Sequence, residues 1–423
     1  MRILFLTHYF TPEVNAPATR THEHCREWAA AGHDVHVVTC IPSHPAGRPF
    51  SGYRRRWYQY ESIDGIHVHR VWTYLAANRG IARRTINYLS FALSGAWRGW
   101  RLGSFDVAIG TSPQFFCAVG TWLVARLRGL PWVFELRDLW PESLAAVGAV
   151  QHRSAAIRWL ERLELRLYHD AAAVACLTRS FERSLAARGV DPAKLHFVPN
   201  GIIPEFWSSG DRASARRELG VASHEVLLSY VGTTGMAHGL GTILDAMSSL
   251  HARAPDVRLL IAGDGAELEA LRARAASLRL SHVQFTGLVP RARVPSLLAA
   301  SDIMLVTLKP SALFETVLPS KMFEAMAAGR PIVLGVEGEA RETLLAAGAG
   351  IAIPPGDAAA LGDAVCRLAR DAALRAAMGE SGKAYVAHEY SRRVWAGRYL
   401  TLLHAVSAVS AQPVESRQTA LTP

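Results

Sequence analysis

Arg2–Thr7 reads RILFLT, Ala18–Ala31 reads ATRTHEHCREWAAA and Asp34–Thr39 reads DVHVVT. The first is a short apolar run of the buried-strand type. The second has helical character and stops at Gly32, and the third alternates like a strand. A strand, a helix and a strand within about 38 residues form a crossover unit, which implies that the two strands run parallel. Working outward, the pattern predicts strands at Val107–Gly110, Trp132–Leu136, Ala173–Leu177 and His196–Val198, with helices near 114–128, 153–168 and 180–188. It restarts at Val226–Gly232 (VLLSYVG) and continues through strands at Val257–Ala262, His282–Thr286, Ile303–Leu308 and Pro331–Gly335. Helices fit at Leu240–Arg253, Ala266–Ser277 and Ser320–Ala328. Two runs of alternating strand and helix predict two open parallel sheets, each with helices on both faces and a ligand crevice at the carboxyl ends of its strands. The joint is expected at Pro204–Val221. This gives a first domain over 1–205, a second over 222–388, a helix over 389–409 that could pack back on the first, and a disordered tail over 410–423.

The length of 423 residues agrees with two or three domains, and 50% hydrophobic with 19% charged residues excludes a largely disordered chain. The five cysteines, at 25, 40, 117, 176 and 366, include no CxxC pair, so neither a zinc ribbon nor a disulfide framework is expected. The first strand begins at Arg2, which leaves no space for a secretory signal. No apolar run reaches the roughly 18 residues of a membrane span; Thr85–Trp97 is the longest. A cytoplasmic setting is the expectation. Net charge is +10, and residues 48–101 concentrate it, with ten arginines against Glu61 and Asp64. The same segment is rich in aromatics. Arg79–Trp100 (RGIARRTINYLSFALSGAWRGW) has apolar residues at near-helical spacing, bracketed by arginine and tryptophan. That composition suits an interfacial helix on anionic lipid. A core helix with a solvated arginine face explains it as well. No helix-turn-helix, zinc-finger or RNA-recognition pattern supports nucleic acid as a partner.

The strongest local signal is Leu318–Pro331, LPSKMFEAMAAGRP. Ser320 is expected as the N-cap, with Lys321, Met322 and Phe323 presenting backbone amides at a helix start. A helix amino end beside a lysine is an anion site, most simply for a diphosphate. Glu324 shares a helix face with Ser320. An ionised carboxylate only accepts hydrogen bonds, so next to phosphate it would suit both hydroxyls of a ribose. A plain capped amphipathic helix with a solvated Glu324 is the other reading. Gly263-Asp264-Gly265 follows the strand VRLLIA and precedes a helix, which allows close backbone approach to a ligand or forms a simple turn. His22-Glu23-His24-Cys25 does not put two imidazoles on one helix face, and His67 and His69 share a strand face that reads as a partly exposed strand. No metal site is expected.

LPSKMFEAMAAGRPIV resembles the second-domain motif of retaining glycosyltransferases of family 4, most closely the bacterial subgroup that builds O-antigen, capsule or colanic-acid chains. Tyr9–Arg20 (YFTPEVNAPATR) with Gly32–Thr39, Glu135–Ser143 (ELRDLWPES) and Val198–Phe206 (VPNGIIPEF) resemble other parts of the same family, in family order across residues 1 to about 390. The resemblance implies an α/β fold of GT-B type and a nucleotide-diphosphate sugar as donor, with UDP-sugar the first choice. It implies transfer with retention to a lipid-linked or glycan acceptor. By the same resemblance Glu324 holds the donor ribose, and Ser320, Lys321 and Met322 lie by the diphosphate. Asn15, Ala16 and Arg20 belong to the first-domain loop that approaches diphosphate and acceptor. Arg137 and Asp138 stand where many relatives have a histidine near the transferred sugar. Gly263, Asp264 and Gly265 would lie near the base, with Phe285–Leu288 as another wall.

The chain departs from the family pattern twice. The first motif glutamate, eight positions before Glu324, is Thr316 here, with Glu315 adjacent. Where relatives carry Arg and Lys after the first strand of the second domain, Tyr230–Gly239 (YVGTTGMAHG) has Thr233 and His238, flanking Thr234. His238 reads either as a charge contact or as a loop histidine. No Asp-x-Asp pair occurs, which suggests metal-independent transfer without a cofactor. Three rivals are a non-hydrolysing UDP-sugar epimerase of the same architecture, a nicotinamide oxidoreductase and a non-enzymatic membrane-surface protein. The oxidoreductase would need a G-x-G-x-x-G loop that residues 8–17 do not offer.

Overall fold

The computed structural model describes residues 1–76, 81–139 and 155–411. Residues 77–80 of the basic segment, residues 140–143 of ELRDLWPES, residues 153–154 of the helix expected near 153–168 and residues 412–423 of the expected tail lie outside them. The chain forms two units, one of Met1–Pro199 with the chain from Arg392 onward, the other of Asn200–Ser391. The break therefore falls at 199/200 rather than 205, and residues 200–221 belong with the second unit.

The first unit carries an eight-stranded sheet. Its strands are β1 (Arg2–Leu6), β2 (Asp34–Cys40), β3 (Tyr58–Ile63), β4 (Ile66–Val71), β5 (Val107–Thr111), β6 (Trp132–Leu136), β7 (Ala173–Cys176) and β8 (Leu195–Phe197). Their order is β3-β4-β2-β1-β5-β6-β7-β8. All neighbours are parallel except the edge pair β3–β4. That hairpin is absent from the alternation-based prediction although its turn is written in the sequence: Asp64 and Gly65 both have positive φ (50° and 78°), the Asp-Gly pattern of a tight hairpin turn.

Both faces of the central strands are buried, which is why they read as continuous apolar runs. The helix Arg392–Ala411 packs on Ala16–Ala30: the Trp28 indole donates to the Ala396 carbonyl at 2.9 Å and meets the Tyr399 ring edge-on at 5.4 Å. Residues 410 and 411, expected as tail, complete this helix.

The helix Ile81–Arg101 is oriented against simple expectation. It buries Asn87, Phe91, Ala92, Gly95 and Gly99, and a Cβ at Gly99 would already touch Leu4 and Val124 at 3.4 Å. The small and polar stripe faces inward. Ile86, Leu89, Leu93, Trp97 and Trp100 form one exposed stripe, with Leu93 70% and Trp97 58% exposed. The helix packs one face on the core with Arg83 and Arg101 exposed, and the apolar stripe is a further exposed feature.

The second unit holds β9 (Val226–Val231), β10 (Val257–Ala262), β11 (Val283–Gly287), β12 (Ile303–Thr307), β13 (Ile332–Gly335) and β14 (Gly350–Ala352). The sheet is parallel throughout, in the order β11-β10-β9-β12-β13-β14. Helices Ala358–Arg370 and Ala372–Glu389, not expected from the pattern, start on Asp357 and Asp371, whose carboxylates accept from Ala360 and Leu374 amides at 2.9 and 2.8 Å. In each sheet the strand order reverses once, between β1 and β5 and between β9 and β12. Loops leaving the carboxyl ends of those strands flank the place where open α/β sheets bind ligands.

Candidate functional site

In the second unit that reversal gathers three segments: the loop after β9, the loop after β10, and the helix Ser320–Ala327 that follows β12. The first two interlock through glycine. A Cβ on Gly263 (φ +144°) would lie 1.8 Å from the Gly232 carbonyl, and one on Gly265 (φ +159°) 2.7 Å from the Thr234 backbone. Only glycine fits either position. Thr234 N donates to the Asp264 carbonyl at 3.0 Å, and Gly263 N to the Gly287 carbonyl at 2.9 Å. The Phe285–Leu288 stretch thus fastens the loop from behind.

The helix start differs from expectation in detail. Pro319, not Ser320, is the N-cap; Ser320 is the first helical residue and is exposed. The Met322 amide is spent on the Pro319 carbonyl at 3.0 Å, and its side chain is fully buried in the core. Met322 therefore offers a ligand nothing.

Lys321 does the opposite. Its ammonium donates to the Tyr230 hydroxyl at 2.7 Å and lies 4.2 Å from that ring's centroid. The hydroxyl in turn donates to the Thr233 carbonyl at 2.7 Å. A Cβ on Gly232 would come within 3.0 Å of the ammonium, so glycine there makes room for the lysine. Tyr230, which the motif reading did not single out, is what positions this charge.

Glu324 is half-buried on the same helix. Burial pushes its carboxyl up to about 7, against the opposing pull of Lys321, Arg291 and the Ser320 hydroxyl. Burial lowers Lys321 to about 8, with Glu324 opposing the shift. Each charge is thus short of solvation, and neither fully supplies the other. His238 falls to about 4 through burial and the neighbouring Lys321, which favours the neutral imidazole in the free protein. Its Nδ1 and the Thr234 hydroxyl are buried without a hydrogen-bond partner among the described residues. Buried polar atoms are rarely left so. A carboxylate, an ammonium and two unused polar atoms beside the glycine-rich loops suit a polar, anionic ligand.

Glu315 is exposed in the short turn Ala312–Thr316 ahead of the helix, and its carbonyl lies where a Cβ on Gly338 would come within 2.1 Å. A groove of about 310 Å³ lies nearby, lined by Gly239, Thr307, Lys309, Arg274, Asp245 and Glu267 among others. Its cations are already matched: Arg274 pairs with Asp245 at 2.5 Å and Lys309 with Glu267 at 3.5 Å. It lacks the unspent charge of the helix start.

In the first unit, Asn15 caps the helix Ala16–Ala30, its Oδ1 accepting from the Ala18 amide at 2.9 Å, while its Nδ2 is buried without a partner among the described residues. Ala16 is exposed at that helix start. Arg20 is a correction. It is 1% exposed and donates to Glu135 at 3.3 Å and to the carbonyls of Pro199 and Val198 at 2.5 and 3.0 Å. All of its reach is spent inside the fold, so it does not face a diphosphate. Arg137 follows β6; its amide donates to the Ser112 hydroxyl at 2.8 Å, and burial lowers its guanidinium to about 10. Its Nη1 has no partner among the described residues. Asp138, next to it, is partly buried.

Residues 15–201 match the family model described as glycosyl transferase 4-like domain, and residues 211–385 the model described as glycosyl transferases group 1. Together the two models span most of the chain. The chain belongs to glycosyltransferase family 4. This glycosyltransferase is 28% identical over 351 residues to the putative colanic acid biosynthesis glycosyl transferase WcaI of Escherichia coli K12, covering 80% of this chain and 84% of that one. It is 27% identical over 305 residues to a GDP-mannose-dependent alpha-(1-6)-phosphatidylinositol monomannoside mannosyltransferase of Mycolicibacterium smegmatis, covering 66% and 80%. Among solved structures it resembles Anabaena Alr3699/HepE in complex with UDP-glucose, with a TM-score of 0.71 and 16% identity over 96% of this chain and all of that one. The likeness establishes the GT-B fold.

Proposed function

We propose that this glycosyltransferase transfers a sugar, with retention, from a UDP-sugar to a lipid-linked glycan during assembly of a cell-surface polysaccharide. The observation that carries the reading is the half-buried pair Glu324 and Lys321 at the start of one helix, each with its pKa displaced toward the neutral form. Glu324 accepts from the two ribose hydroxyls. Lys321 and the helix-start amides take the diphosphate. Thr233 and Thr234 hydroxyls and the His238 imidazole add uncharged contacts, and the Gly263–Gly265 loop approaches the base. Glu315 is assigned to hydroxyls of the transferred sugar.

Asn15, Ala16 and Arg137, with Asp138, are assigned to the acceptor side. In this reading the acceptor hydroxyl attacks the face from which the diphosphate departs, and a phosphate oxygen takes its proton. The protein then supplies positioning and leaving-group stabilisation rather than a nucleophile. Lysine and helix amides hold the diphosphate without a metal ion. The HepE complex with UDP-glucose supports uridine as the base; the GDP-mannose dependence named for the mycobacterial relative makes GDP-sugars the first alternative.

Residues 48–101 are proposed to rest on anionic lipid at the cytoplasmic face of a membrane. No helix among the described residues is long and apolar enough to cross one. The outward stripe Ile86, Leu89, Leu93, Trp97 and Trp100 supports surface contact, as does the exposed Trp57, whose ring lies 5.2 Å from that of Trp72. Titration of the wild type and Glu324→Ala with UDP-sugars and GDP-sugars tests the donor reading. Undiminished affinity in the variant removes it, and conversion of the donor without any acceptor would favour an epimerase.

A further inference from the structure

A second cluster lies on the sheet of the first unit, independent of the donor reading. Asp34 and His36 are two apart on β2 and so share a face. The parallel register pairs His36 directly with His67 on β4. The His36 and His67 rings stack at 4.7 Å between centroids, tilted by 21°. Their Nε2 atoms converge on one carboxylate oxygen, Asp34 Oδ1, at 2.9 and 3.5 Å. One ligand atom from each residue lies within 4.8 Å of the others. Bonds of about 2.0–2.1 Å in a tetrahedron place neighbouring ligand atoms roughly 3.3–3.4 Å apart, which is the scale of this triangle.

The atoms that do not face the triangle are all held. Asp34 Oδ2 accepts from Arg2 Nε at 2.8 Å. His67 Nδ1 lies 2.7 Å from the Tyr60 hydroxyl, and His36 Nδ1 lies 3.0 Å from His69 Nε2. His69 Nδ1 lies 3.0 Å from the Tyr58 hydroxyl. This chain of bonds works in either polarity. With protons on His36 and His67 Nε2, both rings donate to Asp34, and the tyrosines and His69 donate inward. With both Nε2 bare, His36 and His67 donate outward from Nδ1, His69 passes the bond to Tyr58, and Asp34 is free to ligate. Supporting bonds of this kind fix tautomer and ring orientation in metal sites.

We propose that Asp34, His36 and His67 form a site for a zinc-type divalent cation, with two imidazole nitrogens and one carboxylate oxygen as protein ligands. Water completes the coordination, since the Asp34 and His67 side chains are about two-fifths exposed. Nitrogen–oxygen ligation by two histidines and an aspartate favours Zn²⁺ over the oxygen-seeking Mg²⁺ and Ca²⁺. The site joins β2 to β4 and serves as a brace for the sheet edge rather than as part of the transfer chemistry.

The test uses the full chain without a polyhistidine tag, stripped with chelator and titrated with Zn²⁺ by calorimetry, with Co²⁺ absorption as a second readout. The expected result is one saturable equivalent, a rise in melting temperature with Zn²⁺, and visible bands of a low-symmetry Co²⁺ centre. His67→Ala, at the most exposed ligand, should weaken Zn²⁺ binding at least about tenfold, the lower end of what supporting groups alone contribute. Asp34→Asn keeps the side-chain shape and should do the same; circular dichroism of each variant shows that the fold persists. Absence of a saturable equivalent in the wild type overturns the proposal. So does unchanged Zn²⁺ affinity in both folded variants.

Discussion

Two charged pairs at the carboxyl ends of the two sheets meet opposite fates. In the first unit Arg20 and Glu135, each about 1% exposed, are saturated: the guanidinium serves a carboxylate and two carbonyls, and Glu135 also accepts from Thr111 at 3.0 Å. In the second unit Lys321 and Glu324 are only half-buried, yet both are pushed toward neutrality, and unpartnered polar atoms sit beside them. The first pair is internal scaffolding. The second holds electrostatic capacity that the fold leaves unsatisfied, which the proposed donor would complete. Burial alone does not mark a functional charge; burial without satisfaction does.

The largest expected effect is in the saturated pair. Arg20→Met leaves Glu135 buried without its guanidinium partner, at a cost of about 3–5 kcal/mol, read as a large fall in denaturant midpoint. A variant that melts like the wild type would break the comparison. Next, Glu324→Ala should lose about a hundredfold in donor affinity, two charge-assisted hydrogen bonds at roughly 1.5 kcal/mol each. Its melting temperature should not fall, because the carboxylate is under-solvated in the free protein.

Lys321→Met should weaken donor binding about tenfold, one such interaction, measured in the same titration. The smallest effect belongs to His238→Asn, expected within about twofold because the imidazole is neutral and donates no full charge. A loss as large as that of Lys321→Met would restore a cationic His238. Stability against pH sharpens the contrast further. Glu324 has a folded value near 7 and an unfolded one near 4.3, so the folded chain binds more protons between them. Its contribution to stability therefore falls as pH rises through that window. Glu324→Gln should remove this slope from urea midpoints measured at pH 4.5–7.5.

The sheets were legible because their strands are buried on both faces and read as apolar runs such as RILFLT and VLLSYV. The edge hairpin β3–β4 was not, since β3 exposes Tyr58, Tyr60 and Ser62 and only partly buries Gln59, Glu61 and Ile63, which leaves no apolar run; the Asp64-Gly65 turn was the available signal. Glu324 and Lys321 were readable from helix spacing and resemblance. Tyr230 was not, because it reads as an ordinary strand residue until the sheet brings its hydroxyl to Lys321. Arg20 was misread because a motif position does not reveal whether an arginine points into the core. Asp34, His36 and His67 were invisible as a cluster, since only strand register joins residues over thirty apart.

Calorimetric titration with UDP-glucose at pH 6.0 and 7.5, for the wild type and Glu324→Gln, bears most directly on the idea that an under-solvated carboxylate waits for the donor. The bridging diphosphate of this ligand does not titrate there. With Glu324 near 7, wild-type affinity should drop close to tenfold at the lower pH, one pKa unit's worth, while Glu324→Gln binds weakly and equally at both. Equal wild-type affinity at the two pH values, with Glu324→Gln binding as tightly, would contradict the account.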